Sequence, residues 1–305
     1  MKFFAKTDFG KIRQVNQDYY IAENRKVGIF PNIFIVADGV GSNRDSGFAS
    51  KHCSNFVIDQ LALSKDGTNY EKELLKAYRL ANIDLFYRIM ANPKYAGMGT
   101  TMVCTTIDND KAVVANIGDS RCYHIRGEIR QITKDHSIAE ALVDENAIVK
   151  GSDKYMEFKS QLSRAFGASK NIEPDFFRIE LMIGDYILLC TDGLSNMVSD
   201  ERMYEIIETD TNIETKVDLL VEEANRNGGR DNIAIILIYI DNLDKSNSVF
   251  NKERDEINKV ALEQLSSGDV PLNTKEILEK RMKRLEEENF RSRSRKKIGD
   301  IENEH

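Results

Sequence analysis

Residues 101–125 read TMVCTTIDNDKAVVANIGDSRCYHI. An apolar run (Thr101–Ile107) meets three turn-forming residues (Asp108-Asn109-Asp110) and gives way to a second run (Ala112–Ile117). Gly118-Asp119-Ser120 then leads into a third, Arg121–Ile125. Runs this short, rich in Val, Ile and Thr and bounded by Asp, Asn and Gly, read as strands. Strands joined by short turns pair antiparallel, because a parallel partner needs a crossover of a dozen or more residues. The stretch predicts antiparallel sheet and sets an aspartate, Asp119, at a strand end.

Outward from there, the same pattern predicts strands at Lys2–Thr7, Tyr19–Ala22, Ile33–Ala37, Tyr186–Thr191 and Ile233–Ile240. Helical periodicity marks Gly47–Leu63, Tyr70–Met90, Ser137–Glu145, Asp200–Glu208 and Thr215–Arg226. Helices do not alternate one-for-one with strands, which disfavours a doubly wound parallel sheet. Antiparallel sheets covered by helices, an α+β fold, is the expectation.

Composition narrows the functions. The chain has 305 residues, 41% hydrophobic and 30% charged, with a formal charge of −7. A net acidic chain lacks the basic surface of a nucleic-acid binder. No apolar run reaches the length of a membrane helix, and a charge follows the initiating methionine directly. A cytoplasmic protein is expected. Cys53, Cys104, Cys122 and Cys190 form no Cys-x-x-Cys pair and read as reduced core residues. With four histidines in no ligand spacing, zinc is disfavoured. Any metal would be a hard ion held by carboxylates.

The aspartates collect where strands end. Ile33–Ala37 runs into Asp38-Gly39, Ile187–Thr191 into Asp192-Gly193, and Asn116–Gly118 into Asp119; Asp231 precedes the run 232–240. The glycines would let the backbone turn sharply beside each acid. A single Asp-Gly is an ordinary turn dipeptide, and Asp66-Gly67, in a polar stretch, is read as no more than that. Four carboxylates at one core rim would repel one another unless cations lay between them, and all-oxygen ligands suit Mg2+ or Mn2+. Arg13, in Arg13–Asp18 ahead of a strand, carries a fork that matches phosphate oxygens; taken alone it reads as an ordinary surface residue. The glycines of Gly97–Thr101 lack the Lys-Ser/Thr ending of a P-loop, which excludes nucleotide binding there.

In order and spacing, eight segments resemble the metal-dependent protein serine/threonine phosphatases of the protein phosphatase 2C type, in their compact bacterial form. They are Arg13-x-x-Asn16-Gln17-Asp18, Val36–Gly41, Gly99-Thr100-Thr101, Asn116–Arg121, Asp135-His136-Ser137, Leu162–Gly167, Leu189–Leu194 and Gly229–Asn232. The resemblance spans about residues 1–241. It implies a four-layer α-β-β-α sandwich, two antiparallel sheets flanked by helices. It also implies two Mn2+ or Mg2+ ions and a weaker third. Asp38 would bridge the pair, with Gly39 lending its carbonyl; Asp192 and Asp231 would ligate the first ion, and Asp18 would support the second. Asp119 with Asp192 matches the place of the third. Arg13 falls where the family grips the substrate phosphate, and a water bridging the ions would attack phosphorus. Implied partners are phosphorylated proteins and a serine/threonine kinase. An inactive, regulatory relative is the alternative; such relatives usually lose a metal aspartate, and Asp18, Asp38, Asp192 and Asp231 are all present. Three positions depart from the family: Val40-Gly41-Ser42 follows Asp38-Gly39, Phe48 stands where a glutamate is usual, and Gln17 replaces the glutamate of many members. The stretch 135–167 resembles the family's flap over the site.

Composition changes near residue 245. Residues 246–305 hold as many basic as acidic residues, so the net charge sits in residues 1–245. This predicts a catalytic domain, 1–245, and a charged helical appendage, 246–305. Ile257, Ala261 and Leu265 form one apolar stripe, and Leu278, Met282 and Leu285 a second after an Asn273/Glu276 capping pattern. The appendage reads either as a solvated arm or as a docking arm, with the basic run 291–297 facing an acidic partner or anionic surface. Abundant Lys, Asn and Ile with no Trp suit an AT-rich bacterial genome.

Overall fold

Strand β11 (Ile233–Tyr239) is apolar at nearly every position because it is covered on both faces. Ala234, Ile236 and Ile238 point one way and pack with Phe34, Val36, Val103 and Val114. Ile233, Ile235 and Leu237 point the other way, against Met203, Ile206, Leu220 and Ala224. The first set is the seam between two sheets; the second is the seam between a sheet and helices. The computed structural model in which these contacts are seen describes residues 1–41, 46–65 and 69–243.

The first sheet runs β1 (Lys2–Asp8), β11, β10 (Tyr186–Cys190), β7 (Arg121–Ile125), β8 (Ile129–Gln131). The second runs β2 (Asp18–Glu23), β3 (Ile33–Val40), β5 (Met102–Asp108), β6 (Lys111–Ile117), β9 (Asp175–Glu180), with the short β4 (Gly99–Thr100) beside β3. Every pairing is antiparallel. Helices α6 (Asp200–Ile207) and α7 (Ile213–Arg226) cover the first sheet; α1 (Ser46–Ala62) and α2 (Tyr70–Ala91) cover the second. The expected four layers are present. Three shorter helices, α3 (Ile138–Asp144), α4 (Asp153–Phe158) and α5 (Asp192–Ser195), lie nearer the sheet ends.

Three local expectations change. The hairpin Asp108-Asn109-Asp110 forms as read, with Asn109 at φ 58. The next turn does not make a second hairpin: β7 pairs with β10 and β8, so Gly118–Ser120 carries the chain from one sheet to the other. Gly118 sits at φ +102, and a Cβ there would lie 2.5 Å from the Thr101 side chain. Strands β8 and β9 carried too little apolar pattern to be expected, being edge strands paired on one side only. Helix α7 starts two residues earlier than its periodicity, because the Asn212 side chain accepts the Thr215 N–H and caps it.

The four cysteines are free and buried, as expected. Among the described residues no helix is long and apolar enough to cross a membrane. The Asp66-Gly67 turn, Ser42 and the helical stripes after residue 245 lie outside the described residues.

Gly193 has a role other than the turn expected of it. It lies within α5, where a Cβ would meet the Asn232 carbonyl oxygen at 1.9 Å. The glycine permits close approach of two backbones and is not at positive φ. Gly193→Ala should therefore lower the unfolding free energy by about 1–3 kcal/mol through overpacking. Urea denaturation measures this; an unmoved midpoint would show that the two segments part freely.

Candidate metal centre

Antiparallel pairing of β2 with β3 sets Asp18 directly opposite Asp38. The Asp38 backbone is held from both sides. Its N–H donates to Thr101 Oγ1 (3.0 Å), and its carbonyl accepts from the Thr101 N–H (2.9 Å) and Thr100 Oγ1 (2.8 Å). Thr101 Oγ1 also meets Ser120 Oγ at 2.7 Å, which ties the strand end beside Asp119 to the same point. The first sheet supplies Asp192, opening α5 directly after β10, and Asp231, just before β11.

Two residues lock the halves together. The Thr191 hydroxyl donates to Asp18 Oδ2 (2.7 Å) and accepts from the Ala234 N–H (2.9 Å), which links the sheets at the acids. Asn232 accepts from the Gln17 N–H (2.9 Å) and donates to the Phe9 carbonyl (3.0 Å), which pins the 9–17 loop over the start of β11. Sequence reasoning quoted both within motifs and gave neither a role. Arg13 rides on that loop: its Nη2 donates to Asp231 Oδ2 at 2.7 Å, and its side chain is 49% exposed.

Arg13, Asp38, Gly39, Asp119, Asp192 and Asp231 line one end of a cavity of about 690 Å3, with Asp18 buried behind Asp38. A second cavity of about 310 Å3 adjoins it, where Arg121, Asp135 and Lys159 face Asp119, Asp192 and Asp231. Lys159 carried no sequence signal. All seven candidate residues thus converge on one place. Of the departures, Val40 and Gly41 line the cavity, and so does Gln17. Phe48 is instead stacked between the rings of His52 (5.0 Å) and Tyr95 (5.4 Å), so the usual carboxylate there is replaced by an apolar stack. The stretch 135–167 borders the cavity through Ser160, Leu162–Ala165 and Gly167.

The acids are electrostatically strained. Burial, opposed by the Thr191 hydrogen bond and reinforced by the charge of Asp192 and Asp231, pushes Asp18 up to about 8. Burial and then Asp18 raise Asp38 well above the usual carboxylate range. Burial and then Asp192 do the same to Asp119. Asp192 rises to about 6 through burial and Asp231, against the pull of Lys159, Arg121 and Arg13. Asp192 Oδ1 is buried with no hydrogen-bond partner. Crowded, buried carboxylates with an orphaned oxygen fit hard divalent cations. Among the described residues no group of three or more His, Cys, Asp or Glu side chains is placed to hold a metal ion by itself. Mg2+ and Mn2+ keep several waters and take few protein ligands each, so the fit rests on the crowding of the acids and the orphaned oxygen.

Residues 11–224 match the family protein phosphatase 2C. "Serine/threonine phosphatase stp" of Listeria innocua is 33% identical over 242 residues, 76% of this chain and 93% of its own. "Protein phosphatase PhpP" of Streptococcus pneumoniae is 32% identical over 246 residues, 80% and 99% of the two chains. Among solved structures, the catalytic domain of the serine threonine protein phosphatase PstP in complex with 2 manganese ions superposes with a TM-score of 0.67 at 29% identity, covering 77% of this chain and 96% of that one. The chain belongs to the protein phosphatase 2C family.

The strain has a measurable consequence. Unfolded aspartates titrate near about 4. Asp192 and Asp18 hold their protons to about 6 and about 8 in the folded protein. Between those limits the native state binds protons that the unfolded chain has released, so stability falls as pH rises. The penalty is absent below the unfolded value and complete above the folded one. His136, lowered chiefly by burial, acts with the opposite sign but below its usual range. In a chelator, the urea midpoint should drop between pH 6.5 and 8.5, and Asp18→Asn should shrink the drop, leaving the share of the raised Asp38 and Asp119. An equal drop in the variant would exclude Asp18 as its source.

Proposed function

We propose that the protein is a metal-dependent protein serine/threonine phosphatase whose centre is built from Asp18, Asp38, Gly39, Asp119, Asp192 and Asp231, with Arg13 as the phosphate-binding residue. The observation that carries the assignment is the convergence of Asp38, Asp119, Asp192, Asp231 and Arg13 at one end of a single cavity, with an orphaned carboxylate oxygen among them. Asp38 pairs with Asp18 across β2 and β3 and feels the charge of Asp192 and Asp231, so it would be the carboxylate that both ions share. Asp192 and Asp231 would complete the first ion's set and Asp18 would support the second. Asp119, near Asp192, would serve a weaker third.

Bound there, Mn2+ or Mg2+ ions supply a nucleophilic water at neutral pH and offset charge on the phosphoryl group. The chain's own residues do the rest. The Asp231 contact occupies one nitrogen of the Arg13 fork, and its exposed remainder can receive phosphate oxygens and align them for in-line displacement. Thr100 and Thr101 hold the Asp38 backbone, so the shared carboxylate needs no reorganisation as charge develops. The buried thiols of Cys53, Cys104, Cys122 and Cys190, which burial pushes above their usual range, are poor nucleophiles and take no part. Substrates are then proteins phosphorylated on serine or threonine, and the enzyme that supplies them is a serine/threonine kinase. Free buried cysteines accord with a reducing cytoplasm.

Hydrolysis of a phosphothreonine peptide with and without Mn2+ is the direct test; metal-independent turnover, or none by folded, metal-loaded protein, would overturn the reading. Asp38→Asn should lose both high-affinity ions and at least about a hundredfold in kcat, since removing one central charge-stabilising contact commonly costs that much. Asp119→Ala should keep two ions by calorimetric titration while turning over more slowly. Two bound ions and near-normal turnover in Asp38→Asn would sink the bridging role.

The catalytic domain is assigned to residues 1–245 and the charged appendage to 246–305. The matched relatives are covered over 93% and 99% of their own length by 76% and 80% of this chain. A chain ending at Asp244 should fold, bind Mn2+ and cleave a small phosphopeptide at close to the full-length rate. It would lose any partner that docks on the basic run 291–297. Insolubility or inactivity of that chain would place the appendage in the catalytic unit.

A further inference from the structure

The cavity is much larger than a phosphate group requires, and its far end differs from the acidic one. Phe86, Ile89 and Met90, from the last turns of α2, line it together with Met98, Leu162 and Ala165. Met90 is 70% exposed, and Phe86, Ile89 and Leu162 are only part-buried, so this is an open apolar wall and not closed core. An apolar surface beside a charged rim is the usual mark of a binding site. The lining has room at Gly97, where a Cβ would meet no atom within 4 Å.

The wall is also held in place. Phe166 exchanges two backbone hydrogen bonds with Thr100 (2.9 and 3.3 Å), and the Gly167 N–H donates to Asn82 Oδ1 on α2 (2.8 Å). Gly167, at φ +82, has no room for a Cβ, which would lie 2.7 Å from Ile89 Cδ1; the segment is seated flush on α2. Arg164, which borders the cavity, is engaged by Asp175 at 2.6 and 3.2 Å and by the Glu173 carbonyl. A surface fixed in this way loses little entropy when covered.

We propose that this wall binds an apolar side chain next to the phosphorylated residue of the substrate polypeptide, which makes the enzyme selective for phosphosites in hydrophobic sequence. The inference rests on the phosphatase reading above. Continuity identifies the occupant: a phosphate at Arg13 puts the neighbouring residues, about 3.3–3.6 Å further along the chain each, over the same cavity. Phe86, Ile89 and Met90 offer no charge or hydrogen bond, so an apolar partner gains and a polar one does not.

The test compares two phosphothreonine peptides of equal length and net charge, one with leucines at the two positions on each side and one with serines there. For the wild-type protein with Mn2+, kcat/KM for the leucine peptide should be roughly tenfold or more higher, mostly through KM, as burying one aliphatic side chain allows. Met90→Glu, at an exposed position that folding does not need, should reduce the ratio to below about twofold by placing an unpaired charge on the wall. A wild-type ratio under twofold, or one unchanged in Met90→Glu, overturns the wall's role while leaving the phosphatase reading standing. Cleavage of neither peptide overturns that reading, and this inference with it.

Discussion

Burying several carboxylates within reach of one another costs free energy, and this fold does so at the end of the seam between its sheets. Apolar packing makes the arrangement tolerable. Phe34, Val36, Ile236 and Ile238 hold the sheets face to face, and burial and dispersion along such a seam greatly exceed the local strain at its rim. Thr191 and Asn232 then join the two sheets' acid-bearing loops with hydrogen bonds. Without that clamp the acids could relieve their repulsion by moving apart. With it, the electrostatic strain remains available to be relieved by cations.

This accounts for the division of labour around the centre. Backbone-anchored groups keep their geometry: Asp38 is held by Thr100 and Thr101, and Asp231 is fixed beside β11. Arg13 sits on a loop whose ends are anchored by the Gly229 carbonyl, Asn232 and Ser50, while its own side chain is half exposed and held by Asp231. Lys159, Arg121 and Arg13 partly offset the charge of Asp192, which is why its carboxyl rises less than that of Asp18. Phe48 stacks between His52 and Tyr95 and adds no charge. The large cavity joins this polar end to an apolar wall, so charge and hydrophobic recognition meet in a single groove.

The chain's local patterns determined a good deal by themselves. Period-two and continuous apolar runs located β1, β2, β3, β5, β6, β7, β10 and β11, since a strand covered on one face alternates and a strand covered on both does not. Aspartates at the ends of such runs marked Asp38, Asp119, Asp192 and Asp231, because a rim position is where a carboxylate can follow a buried strand. Arg13 and Asp18 were suggested by residue type ahead of a strand, and motif order gave them their roles. Other features required the assembled fold. The switch of sheets at Gly118, the close approach that demands Gly193, and the links made by Thr191 and Asn232 all depend on which segments meet across long sequence separations. So do the shifted acids, since desolvation and mutual repulsion are properties of packed neighbours, and the apolar wall facing them, which joins the end of α2 to residues more than seventy positions later. Periodicity encodes what one segment hides from water; only the tertiary structure decides what it is hidden against.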